Sequence, residues 1–126
     1  MPRNTLNRQL SNIQDEILIL GSMVEQATLQ AVGTLKSHDI KKAREVFEQD
    51  QIINEKRFAI ENAILISMAT QQPMARDLRA LAALLEVNTE LERMADRVSN
   101  ICERTVFIAT GELFEMDGMD EEDLNV

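Results

Sequence analysis

A chain of 126 residues, 44% of them hydrophobic, is long enough for one packed domain, and its net charge of −9 argues against direct binding to DNA or RNA, which depends on clustered Lys and Arg. Aromatic residues make up only 3%, with no Trp or Tyr and 7 Met, a supply that fills helix seams better than the faces of a β-sandwich. No run approaches the roughly 18 apolar residues that span a bilayer, and no basic segment followed by an apolar one opens the chain, so a cytoplasmic location without membrane insertion is expected.

The first element is the clearest. Leu6, Leu10, Ile13, Ile17, Leu20, Val24, Ala27 and Ala31 recur in alternating steps of four and three, the spacing of one long helix with a coiled-coil-like seam. Ser37-His38-Asp39 interrupts it, with His38 read as a turn residue and Asp39 as the N-cap of a second helix reaching about Thr70. The apolar positions of that helix are Ala43, Val46, Phe47, Ile53, Ile60, Ile64, Leu65 and Met68. Gln71-Gln72-Pro73 then marks a turn, because proline pushes Gln72 out of the α region, and Pro73 suits the first position of a third helix. The seam of the third helix reads Leu81, Leu84, Asn88, Leu91, Ala95, Val98, Cys102 and Val106, and Gly111 stops it. On that apolar face the single cysteine, Cys102, behaves as a small buried hydrophobe.

Two short connections make neighbouring helices antiparallel, so the expected architecture is all-α, an up-down-up three-helix bundle over residues 1–111. Residues 112–126 read as an acidic C-terminal tail without sustained periodicity.

Two polar rows interrupt the apolar faces. On the second helix Asn54, Arg57 and Glu61 fall within about 40° of Asp50 at about 100° per residue, flanked by Val46, Ile53, Ile60 and Ile64 on one side and by Phe47, Phe58 and Leu65 on the other. On the third, Asn88, Glu92, Asp96, Ser99 and Glu103 line one edge of the seam. Glu92 and Asp96, one turn apart, repel unless a cation or donor lies between them. One reading is a network in which Arg57 and Arg93 neutralise Asp50, Glu61, Glu92 and Asp96 and fix the helix register. The other is a hard-cation or iron site, with carboxylates from two helices bridging metal ions. A ferritin-like di-iron centre is excluded, because it needs Glu-x-x-His pairs and the only histidine, His38, is in a loop. With no Gly-rich phosphate loop and no nucleophile–histidine set, enzymatic activity is not expected.

The segments Gln71-Gln72-Pro73-Met74-Ala75-Arg76-Asp77-Leu78-Arg79 and Leu91-Glu92-Arg93-Met94-Ala95-Asp96, with Asn100-Ile101 after them, resemble the PhoU family of phosphate-uptake regulators. Glu48, Asp50, Ile53 and Asn54 fit the same family's second-helix pattern, and the similarity covers about residues 4–110. It implies a non-enzymatic, cytoplasmic regulator of phosphate uptake and of the phosphate-starvation response, acting by contact with the phosphate ABC transporter and a sensor histidine kinase. It also implies metal ligation: in metal-bound relatives the third-helix motif contributes to multinuclear iron or zinc clusters, a role that falls on Glu92 and Asp96, with Asp50 as a weaker candidate. Such proteins carry two three-helix repeats in tandem, whereas this sequence contains one: it is either a fragment or a single-repeat protein in which self-association as a homodimer is expected to supply the second bundle.

Overall fold

The computed structural model describes residues 2–112 and builds them as helices joined by short turns. Helix α1 runs over Pro2–Ser37, α2 over Ile40–Glu48, α3 over Asp50–Gln71 and α4 over Ala75–Thr110. At about 1.5 Å per residue the two 36-residue helices are each roughly 54 Å long. Helix α1 runs up, α2 and α3 together form the descending arm, and α4 rises again, packing most extensively against α1. This is the expected three-helix bundle.

The α1 seam is buried as its spacing requires: Leu6, Ile13, Ile17, Leu20, Val24, Ala27 and Ala31 all lie in the core, with Leu10 packed half-buried against it. Helix α4 contributes Leu81, Ala95, Val98, Cys102 and Val106, and the descending arm contributes Ala43, Val46, Ile53, Ile60 and Ile64. Polar contacts also tie α3 to α1: a Lys56–Glu16 ion pair, and a hydrogen bond from buried Ser67 Oγ to Gln9 Oε1 at 3.0 Å.

The turns are set by local chemistry. His38 takes the left-handed conformation (φ 56°), and the Asp39 carboxylate accepts from the Lys42 backbone N–H at 3.0 Å, capping α2. Gly111 (φ 76°) ends α4, its N–H donating to Phe107 O at 2.7 Å.

Two boundaries differ from those read in the sequence. The descending arm is interrupted at Gln49, which keeps right-handed dihedrals (φ −66°, ψ −17°) but shares its N–H between Glu45 O and Val46 O. The extra bond to the third residue back tightens the chain there as in a 3₁₀ turn. The ascending helix starts at Ala75 instead of Pro73. Proline does exclude Gln72 from the right-handed region, but Gln72 goes to the left-handed one (φ 46°, ψ 57°), and extended Met74 completes the reversal before helical geometry resumes. Asp77 then falls in the first turn of α4, where the positive helix end favours a carboxylate. Of the segment expected to be an acidic tail, residues 113–126 lie outside the described residues.

Candidate functional site

The polar rows of α3 and α4 face each other along one flank of the bundle. Along the descending arm, the flank of Val46, Ile53, Ile60 and Ile64 is fully buried, whereas Phe58 and Leu65 on the other flank are exposed and Phe47 is half-buried. The row therefore runs along the edge of the core instead of up its centre. Arg57 is the member that goes inward, with only 8% of its surface exposed, while Asp50, Asn54 and Glu61 are half-buried.

Burying a guanidinium is costly unless charge and hydrogen bonds meet it. Arg57 Nε lies 2.6 Å from Glu92 Oε2 of α4, and Arg57 Nη1 lies 3.3 Å from Glu61 Oε2 one turn along α3. The Glu92 contact is a close ion pair and lacks the alignment of a hydrogen bond. The guanidinium also stacks over the Phe58 ring at 4.0 Å from its centroid, and Phe58 shields it from water on that side. From α4, fully buried Asn88 donates its Nδ2 to the backbone carbonyl of Arg57 at 3.0 Å. Two side chains of α4, Asn88 and Glu92, thus grip the same residue of α3, one by its main chain and one by its charge.

The remaining acidic residues are dispersed. Asp96, one turn beyond Glu92, is exposed, and Arg93 pairs not with the expected row but with Glu90 on the exposed face, at 3.1 Å. Asp50, in the first turn of α3, lies within electrostatic reach of Cys102, as does Glu103. Burial, then those two carboxylates, push the Cys102 thiol up to about 11 from its ordinary 9.0, which holds it protonated at neutral pH.

Among the described residues, no three His, Cys, Asp or Glu side chains come together as a set for a metal ion. Glu92, Asp96 and Asp50 stand apart from one another in function: one is held by Arg57, one faces solvent, and one belongs to the surroundings of Cys102. As one chain arranges them, these side chains do not fit an iron or zinc cluster. The roles of Phe58 and Asn88 were not visible in the sequence. Adjacent residues on a helix do not face each other, so nothing in Arg57-Phe58 announces stacking, and Asn88 in an apolar seam reads as one more member of a row.

At the far end of the bundle, the Gln71–Asp77 turn and Leu6 line a cleft of about 410 Å³, with Met74 strongly exposed at its rim. No helix of the described residues is long and apolar enough to cross a membrane.

Residues 17–105 match the family model of the PhoU domain. The phosphate-specific transport system accessory protein PhoU of Serratia marcescens is 34% identical over 96 residues, which cover 76% of this chain and 40% of that protein. The corresponding protein of Escherichia coli strain K12 is 33% identical over the same length, and the PhoU homolog of Streptococcus pneumoniae serotype 4 is 29% identical over 123 residues, 98% of this chain and 55% of that one. The chain spans about half the length of the curated relatives it matches. No solved structure gave a significant match. The matched region takes in most of α1, both parts of the descending arm and α4 through Thr105, together with the Arg57–Glu92 bridge, and by that match the chain belongs to the PhoU family.

Proposed function

We propose that this chain is a non-enzymatic regulator of phosphate uptake and phosphate-starvation signalling, which acts in the cytoplasm by contact with the phosphate ABC transporter and a sensor histidine kinase. The observation that carries this reading is the PhoU-domain match over residues 17–105, with relatives named as accessory proteins of a phosphate-specific transport system. The direct test is affinity purification of the full chain from cells grown at low and at high phosphate. Co-purification of the transporter's ATPase subunit or of a sensor kinase supports the proposal; the absence of both under both conditions refutes it.

Self-association as a homodimer is part of the same proposal. It is supported by apolar residues on α1 outside the seam: Leu18, Leu29 and Val32 are at least half exposed. Steps of eleven and three residues bring them onto one stripe at about 3.6 residues per turn. Light scattering decides it. A species of 14.3 kDa at high concentration refutes the dimer, and Leu18→Gln with Leu29→Gln is expected to weaken an observed one.

A further inference from the structure

The acidic face of α4 asks for a cation, and the structure holds one in covalent attachment to the chain. We propose that Arg57 takes the place that a metal ion is expected to fill, so that the Glu92 motif of this chain is neutralised from within and binds neither iron nor zinc. The inference rests on side-chain geometry alone and stands or falls apart from the regulatory reading above.

A divalent ion gathers carboxylates by cancelling their repulsion across a helix pair. Arg57 does the same here. It reaches Glu92 on α4 at 2.6 Å and Glu61 on its own helix at 3.3 Å, joining carboxylates from two helices through one buried positive group. Its position is fixed rather than opportunistic, because Phe58 stacks against the guanidinium and Asn88 holds the Arg57 main chain against α4. A metal at Glu92 would have to displace this group or lie beside it. Displacement leaves a buried guanidinium short of a partner, and adjacency sets two cations against each other at close range in a half-dry site. Asp96, exposed and one turn away, does not compensate for either cost.

The test uses the full chain, stripped with chelator, desalted, and titrated with zinc chloride and, anaerobically, with ferrous sulfate; bound metal is read by elemental analysis and stability by thermal unfolding. Wild type and Glu92→Gln are expected to retain equal, substoichiometric metal, and zinc is expected to leave the wild-type midpoint unmoved. Arg57→Gln, which leaves Glu61 and Glu92 without their cation, is expected to retain metal stoichiometrically and to gain stability with zinc, while Arg57→Lys behaves as wild type. Stoichiometric metal on wild type that is lost in Glu92→Gln overturns the proposal, as does an Arg57→Gln protein that folds yet takes up no more metal than wild type. If Arg57→Gln is helical only when zinc is present, the substitution of metal for arginine is supported directly. If it is unfolded in both conditions, the comparison of wild type with Glu92→Gln decides, equal metal supporting the proposal and unequal metal overturning it.

Discussion

Replacing Glu92 by Gln tests how much of the α3–α4 packing depends on one charge. The Glu92 side chain is 29% exposed and its partner Arg57 only 10%, so the pair is neither a free surface contact nor a sealed one. Removing one member of a fully buried pair costs about 3–5 kcal/mol, because the other charge is stranded. Here Glu61 remains 3.3 Å from the guanidinium and water reaches Glu92, so a loss of about 1.5–3 kcal/mol is expected. In a domain of this size that corresponds to roughly 5 °C per kcal/mol in the unfolding midpoint. A double-mutant cycle with Arg57→Met isolates the pair, with an expected coupling of about 1–2 kcal/mol from urea unfolding curves. Arg93 and Glu90 supply the internal control. They are 63% and 65% exposed, and Glu90→Gln should cost less than about 0.5 kcal/mol, an effect that salt removes. A Glu92–Arg57 coupling no larger than that of the control pair would refute the view that this bridge sets the register of the two helices.

Other substitutions probe the local chemistry. Asp39→Ala removes the acceptor for Lys42 N–H and should cost about 1 kcal/mol, whereas Asp39→Asn keeps most of the cap; chemical denaturation separates the two. Gly111→Ala meets no neighbouring atom within 4 Å, so its expected cost of about 1 kcal/mol is that of a left-handed φ of 76° alone, and it should appear as fraying of the last turn of α4 by nuclear magnetic resonance. Cys102 should react with thiol reagents only as the protein opens, since its thiolate is scarce at neutral pH and its side chain is buried. The linkage has a definite sign. With the folded value near 11 and the ordinary value at 9.0, the unfolded chain loses its proton first, so this group's contribution to stability is full below about pH 9 and disappears as pH rises towards 11. Cys102→Ala should flatten the fall in stability over that alkaline range.

The long seams were legible because their periodicity is redundant. Seven of the eight apolar positions named on α1 are buried, and an error at any one of them would not have moved the helix. Asp39 and Gly111 were legible for a different reason, since each acts on its own neighbours and needs no tertiary context. The interruption at Gln49 was not, because glutamine is a good helix former and its dihedrals stay right-handed; only a shared hydrogen bond records the change. Leu65 reads as core from composition yet is 47% exposed, since it sits about 100° round the helix from fully buried Ile64. For the site, the two polar rows and the need for Arg57 to be paired were visible in the spacing. Which carboxylate would claim it was not, because that depends on the relative height of α3 and α4, a quantity that packing of the whole bundle determines.

The break at Gln49 divides a rod that looks continuous into parts held with different strength. Nine residues are too few to remain helical in water unaided, so α2 borrows its order from Ala43 and Val46 pressed against its neighbours, while α3 is anchored by Ile53, Arg57, Ile60, Ile64 and Ser67. Opening residues 40–48 exposes Ala43 and Val46, frees half-buried Ile40 and Phe47, and leaves the Glu61–Arg57–Glu92 bridge intact; opening residues 50–71 dismantles it. Within the descending arm, opening is therefore expected first at its upper end, where amide hydrogens should exchange with solvent before those of the bridge.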